Sequence, residues 1–280
     1  MHITSCAHAP LRPRPGPGSL TGVDATDASL DLPPGVTRLV ALGDPHGDLP
    51  GLEGVLAREP RPPAAFLSMG DNVGYEDGPA SSAFVARLAA LGIRSVLGNH
   101  EDWLDDEGGL SIVQDSPERR LTPATFAWCR TLPLRLHLRL AAAPGLKVVA
   151  AHTCLAPGRR QRWPFLDRPE KVEQLVLDEG AQVVLTGHTH GPKVWRVPRD
   201  PDLRATATLL ELEPGARLVV PLEPGVRYVL DAGSLGRPGH HPDPGRFDLA
   251  TYAVLDVARR QLELHAFQKG GAGHPPDAGA

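Results

Sequence analysis

Three apolar runs, each broken off by a glycine and a polar residue, dominate the first half of the chain. They are "VTRLVALGD" (36–44), "AAFLSMGD" (64–71) and "IRSVLGNHE" (93–101). Their leucine and β-branched content predicts buried strands. Between the first two lies "LPGLEGVLARE" (49–59), with Leu49, Leu52, Val55 and Leu56 on one helical face. Between the second and third, Ser81 or Ser82 caps an expected helix that carries Phe84, Val85, Leu88 and Leu91 and stops at Gly92. Strand, helix, strand, helix, strand in that order constrains the chain to a layered α/β fold with parallel strands.

The pattern resumes at "LKVVAAH" (146–152). A helix over 168–179 follows, opened by Asp167 and Glu170 as a capping box and ended by Gly180, and then "AQVVLTGH" (181–188). After Trp195 the texture changes. "TATLLELE", "ARLVVPLE", "VRYVLDAGS", "TYAVLDVA" and "QLELHAF" are strands broken by Pro and Gly turns, with no helix between them. This end is expected to extend a second, antiparallel sheet. Residues 1–35 are rich in Pro, Gly, Ser and Asp without a hydrophobic period and are expected to be a disordered or loosely attached tail, as are residues 269–280. The folded body is then one unit over 36–268.

Composition removes several classes. A net charge of −4 disfavours a broad electrostatic grip on duplex nucleic acid. No apolar run approaches the roughly 18 residues of a membrane span, and the basic N-terminus has no continuous apolar stretch of signal-peptide type. The three cysteines, Cys6, Cys129 and Cys154, are odd in number and show no CxxC spacing, so a reduced, cytoplasmic setting is expected.

The chemistry sits where the strands end. The first ends in "GDPHGD" (43–48), the second in "GDNVGY" (70–75), the third in "GNHED" (98–102), the 146–152 strand in His152, and the 181–188 strand leads into "GHTHG". Each piece alone is an ordinary polar turn. Together they place acids, amides and imidazoles at the carboxyl ends of strands, which form the functional edge of an α/β sheet. Asp44, His46, Asp71, Asn99, His152, His188 and His190 are seven oxygen and nitrogen ligands without a thiol. That set exceeds one tetrahedral zinc site and suits two borderline divalent ions.

In that order, D-x-H-G, G-D, G-N-H-E, a lone His and G-H-x-H resemble the calcineurin-like metallophosphoesterase superfamily, over most of residues 37–258. The resemblance implies a four-layer α-β-β-α sandwich of two packed mixed sheets, with a metal site at strand C-terminal ends. It assigns Asp44, His46 and His190 to one metal, Asn99, His152 and His188 to a second, and Asp71 to both. His100 matches the family's catalytic histidine. Two divalent ions are implied, with Mn²⁺ leading and Fe²⁺, Co²⁺, Ni²⁺ or Zn²⁺ as alternatives. The implied reaction is attack of a metal-bridging hydroxide on phosphorus.

The second motif separates branches. Gly74 and Tyr75 stand where Ser/Thr protein phosphatases carry Asp and Arg, and no Tyr stands three after Asp71 as in purple acid phosphatases. "GDNVGYEDGP" and "DAGSLGRPGHHPDPGRFDLATYAVLD" (231–256) are instead similar to small bacterial phosphodiesterases of the YfcE-like type, with Asp231 and Ala232 in place of the usual Asn-Pro. A small phosphorylated or nucleotide substrate is implied, first a phosphodiester. The alternatives are phosphomonoesterase or (di)nucleotide phosphatase activity, and a protein-binding scaffold, which the full ligand set disfavours. Arg237 is an expected phosphate contact. His240 and His241 beside it read as a surface loop. "RQRWPF" (160–165), with Arg159 before it, reads as a surface loop anchored by Trp163, or as a lid that stacks a base.

Overall fold

The computed structural model describes residues 27–59, 63–74, 78–105, 120–153, 163–200, 202–237 and 248–270. Its strands form two sheets. One has the order β1 (Ala28–Leu32), β5 (Arg135–Leu140), β6 (Val148–Ala151), β7 (Val183–Thr186), β11 (Val226–Asp231), β8 (Lys193–Pro198), β9 (Thr206–Leu209). The other has the order β10 (Arg217–Pro221), β13 (Gln261–Gln268), β12 (Leu249–Asp256), β2 (Arg38–Leu42), β3 (Ala64–Ser68), β4 (Arg94–Ser95). The helices are α1 (Leu49–Arg58), α2 (Gly78–Ala90), α3 (Asn99–Asp102), α4 (Pro123–Cys129) and α5 (Pro169–Glu179).

The alternation of side chains along each strand builds the layers. Leu39 and Ala41 of β2 join Leu67, Met69, Leu136, Leu185 and Leu230 in a cluster between the sheets. Val40 and Leu42 point the other way, against Leu52 and Val55 of α1 and Phe84 and Leu88 of α2. Val149, Val184 and Val229 cover the far face of the other sheet against Val172, Leu175 and Val176 of α5. Each fully buried aliphatic or aromatic side chain stabilises by about 1.5–3 kcal/mol relative to exposure. The result is the expected α-β-β-α sandwich with mixed sheets. No helix among the described residues is long and apolar enough to cross a membrane.

Several local expectations are corrected. The chain does not divide into a parallel first half and an antiparallel second half. Strand β11 runs parallel beside β7, while β12 lies antiparallel beside β2 in the other sheet. Every residue of β12 is buried, so it takes a central place that only long-range pairing reveals. Residues 28–32, expected in the tail, form edge strand β1, because Leu30 and Leu32 reach the inter-sheet cluster and Asp31 pairs with Arg139 of β5. Residues 1–26 and 271–280 lie outside the described residues, while Lys269, placed in the other tail, donates to the Asp48 carboxylate. Strand β4 is only two residues long, and "GNHE" opens helix α3 instead of continuing the strand.

Helix α2 begins at Gly78 and not at a serine cap. The Ser81 and Ser82 hydroxyls accept instead from the main-chain N–H of Gly74 and Thr122. At α5 the N-cap is Arg168 without a side-chain cap bond; Asp167 pairs with Lys171 and Glu170 with Arg204. Gly180 does end that helix, in the left-handed region at φ 59°.

At the opposite end of β2 from its glycine, Arg38 holds three buried carboxylates. Its guanidinium meets Glu59 through two bonds of 3.0 Å, Asp256 at 2.6 Å and Glu263 at 3.1 Å. Tyr252 donates its hydroxyl to Glu59, and His265 lies 2.8 Å from Glu263 and stacks on Tyr252. Removing the cation strands the acids in a low-dielectric setting. Arg38→Ala is therefore expected to lower unfolding stability by about 3–5 kcal/mol in urea melts.

Candidate metal centre

Five turns carry the candidate residues. Asp44 and His46 follow β2, Asp71 follows β3, and Asn99 and His100 open α3 just after β4. His152 directly follows β6, and His188 and His190 follow β7. The first turn is tied to the second by His46 N–H to Asp71 O at 2.9 Å and Gly47 N–H to Asn72 O at 2.8 Å. Six non-glycine residues have positive φ among those described, and five of them are Asp44, His46, Asp71, His188 and His190, the sixth being Arg260. A side chain in that region costs of order 1 kcal/mol. Concentrating the strain here marks a site where geometry is held against local preference.

The two sheets meet at this edge and bring the residues together. His46 Nε2 lies 3.1 Å from His190 Nε2, and His190 Nε2 lies 3.5 Å from Asp44 Oδ1. His152 Nε2 lies 3.0 Å from Asn99 Oδ1, 3.5 Å from Asp71 Oδ1 and 4.0 Å from Asp44 Oδ1. Three groupings have ligand atoms mutually within 4.8 Å: Asp44, His46 and His190; Asp71, His152 and His188; and His46, Asp71 and His100. All seven candidate ligands and His100 therefore converge.

Hydrogen bonds on the far ring nitrogens set which lone pairs face inward. Nδ1 of His46, His152 and His190 meets the carbonyls of Val73, Met69 and Arg237 at 3.4, 2.6 and 2.9 Å. Each Nδ1 thus carries the proton, and each Nε2 presents a lone pair. His188 is reversed: Nε2 meets Trp163 O at 2.8 Å, which leaves Nδ1 as its inward atom. Lone pairs facing one another at 3.0–3.1 Å repel unless a cation or a proton lies between them. Asp44 Oδ1 is buried without a hydrogen bond. Burial pushes the Asp44 carboxyl well up, with Asp231 adding to it, and pushes the His46 imidazole well down. The Asp71 carboxyl rises to about 7 through burial, and His152 falls to about 3 for the same reason. Neutral imidazoles beside reluctant carboxylates suit divalent cations, whose charge reverses the carboxylate shifts.

A sequence model described as calcineurin-like phosphoesterase matches residues 37–192. The chain belongs to the calcineurin-like phosphoesterase family. It is a metal-dependent phosphoric ester hydrolase, in a family that uses a dinuclear divalent metal centre. No curated protein matches it significantly. Among solved structures, a metallophosphoesterase from Sphaerobacter thermophilus is similar at TM-score 0.60 and 22% identity, covering 84% of this chain and 89% of that one. A conserved protein from Streptococcus pneumoniae, described as a predicted phosphoesterase, is similar at TM-score 0.42 and 19% identity, covering 85% and 93%. A protein serine/threonine phosphatase from Saccharomyces cerevisiae reaches TM-score 0.48 at 14% identity, covering 91% and 86%. The first likeness shows the fold alone, and the weaker two add nothing to it.

The surroundings of the candidate centre contain residues that motif reading passed over. Glu101 is buried and accepts from the main-chain N–H groups of Asp71, Asn72, Val73 and Gly98 at 2.6–3.1 Å. It thereby fixes the second turn against the third. Its glutamate stands in "GNHE", but nothing in that spacing says which way the side chain points. Ser234 donates to Asp44 O at 2.7 Å, and Asp231 accepts from Thr189 Oγ1 at 2.5 Å, so the "DAGS" segment steadies the first and fifth turns. Close approach explains two glycines. A Cβ on Gly98 would lie 2.2 Å from Asp71 N, and one on Gly187 would lie 2.5 Å from Asp44 Oδ2.

Arg237 meets the candidate centre through its main chain, its carbonyl orienting His190 and its N–H bonding Ser234 Oγ at 2.8 Å. Trp163 is half-buried and tied to the candidate centre, while residues 160–162 of its loop lie outside the described residues. Its indole N–H donates to Asp102 Oδ2 at 3.1 Å, its ring meets His152 edge-on, and its carbonyl orients His188. With both polar groups engaged, it belongs to the wall of the site. Arg159, Arg160, Arg162, His240 and His241 lie outside the described residues.

Proposed function

We propose that the chain hydrolyses phosphodiesters or small phosphorylated molecules at two divalent ions. Asp44, His46 and His190 would hold one, Asn99, His152 and His188 the other, and Asp71 would serve both. The observation that carries this is the convergence of inward-facing imidazole lone pairs on buried carboxylate oxygens, with Asp44 Oδ1 lacking any other partner. The ions, when bound, supply Lewis-acid charge for phosphate oxygens and acidify water. Met69, Val73, Trp163 and Arg237 hold the imidazoles in the required tautomers through their carbonyls. His100 lies with Nε2 3.9 Å from Asp71 Oδ2, and its main-chain N–H donates to Asp71 Oδ1 at 2.9 Å. So placed, it can give a proton to the departing alkoxide. Its imidazole is lowered mainly by burial, against which Asp71 works. The diester reading rests on "GDNVGYEDGP" and the 231–256 signature, and Mn²⁺ is the first ion to try.

Metal-stripped protein should regain hydrolysis of bis-p-nitrophenyl phosphate on adding Mn²⁺, with calorimetry giving two ions per chain. A fully reconstituted protein that cleaves neither this diester nor p-nitrophenyl phosphate would sink the proposal. Apparent metal affinity should also depend on pH. The Asp71 carboxyl is raised to about 7, so a cation must displace its proton below that pH, and the Asp44 carboxyl is pushed up by burial in the same direction. Affinity is therefore expected to fall on going from about pH 7 to about pH 5, by roughly tenfold per unit for each proton displaced. The His152 imidazole, pushed down to about 3 by burial, does not compete in that range, and burial pushes His46 down in the same direction.

A further inference from the structure

Six large hydrophobic residues are exposed among those described: Trp103, Phe165, Leu177, Leu203, Leu209 and Val219. The four aliphatic ones lie on α5, on β9 and β10, and just before β9. The two aromatic ones are both in ring contact with histidines of the candidate centre. Trp103 is 47% exposed, and its ring centroid lies 5.2 Å from that of His100. Phe165 is 46% exposed and stacks on His188 at 4.5 Å and 21°. Structure holds both in place. Trp103 follows directly on Asp102, whose carboxylate accepts the Trp163 indole N–H, while Lys171 donates to the Phe165 carbonyl at 2.9 Å.

Leaving two rings half in water costs apolar burial, and doing so beside the histidines is useful only if something planar covers them during turnover. The position relative to His100 says which part of the substrate that is. If His100 protonates the leaving oxygen, the group attached to that oxygen departs past His100 and meets Trp103. We infer that Trp103 against His100, with Phe165 stacked on His188, selects esters whose leaving group carries a planar aromatic ring, such as a nucleoside. This rests on the phosphoester reading above and adds the class of leaving group to it. Stacking tolerates different bases because each has a π-face. Preference for a ring, without strong preference among purines and pyrimidines, follows.

The test compares substrates that share a primary alkoxide leaving group and differ only in the base. These are adenosine 5′-phosphate against ribose 5-phosphate, and the methyl diesters of both, assayed with metal-loaded protein. In the wild type, kcat/KM is expected to favour the base-bearing member by about tenfold or more, mainly through KM. Trp103→Leu should collapse that ratio toward one, and Trp103→Phe should keep most of it. A Trp103 that merely props His100 would instead lower kcat for both members in Trp103→Leu and leave their ratio unchanged, which overturns the inference. Turnover by the wild type without a base preference also overturns it while leaving the phosphoester reading intact. No turnover of any of the four by protein that still cleaves bis-p-nitrophenyl phosphate overturns the inference alone, and loss of that activity as well overturns both.

Discussion

Asp71→Asn is expected to abolish phosphodiester hydrolysis while leaving the fold standing. Asp71 Oδ1 accepts the His100 N–H and lies 3.5 Å from His152 Nε2, and Oδ2 faces His100. An asparagine oxygen can keep the first bond. It cannot keep the negative charge, and its amide N–H₂ would present protons where lone pairs are wanted. Activity should fall by at least about a thousandfold in kcat/KM, or ~4 kcal/mol of transition-state stabilisation. Stability should move the other way. Burial works against ionising this carboxyl, so the variant without metal should be as stable as the wild type or about 1 kcal/mol more so near neutral pH. Kinetics on bis-p-nitrophenyl phosphate and urea melts of the metal-free proteins check both halves. A variant that loses activity because it unfolds would contradict this account.

Glu101→Ala should have the reverse signature, with stability lost first. Four main-chain N–H groups from two turns end on one buried carboxylate. Alanine leaves all four without an acceptor and opens a cavity between the turns. A loss of about 3–5 kcal/mol is expected in urea melts. Glu101→Gln retains one accepting oxygen and should lose less. Burial and the nearby Asp71 raise the Glu101 carboxyl, so the site tolerates a neutral acceptor. Metal stoichiometry measured on the alanine variant should fall below two, because Asp71 and Asn99 then no longer hold their spacing.

The contrast between these two residues shows what could be read from the chain alone. Asp71 was legible because a strand of leucine and phenylalanine ends in Gly-Asp, and five such endings shared one chemistry. Glu101 was visible as a letter of "GNHE" but not as the keystone under the second turn, since its partners are main-chain groups that any residue could supply. Leu30 and Leu32 of β1 were hidden by the Pro, Gly and Asp around them, although their alternation is that of an edge strand. The central places of β11 and β12 were illegible for a different reason. Burial on both faces can be guessed from composition, but the identity of the neighbouring strand depends on contacts across the whole chain. Trp103 gave no sequence signal, because an exposed aromatic and a core aromatic look alike until the fold is known, and within "RQRWPF" only the fold shows Phe165 as the exposed ring.

The candidate centre draws on both sheets, and His46 and His190, which meet within it, are 144 positions apart in sequence. Neither sheet alone can present a complete set of ligands, so the centre comes into being only after the sheets have docked. A ligand of this centre therefore binds the folded chain and finds no such site on the unfolded one. Whatever binds there acts as a latch on the finished molecule, stabilising the docked sheets by mass action in proportion to its own affinity.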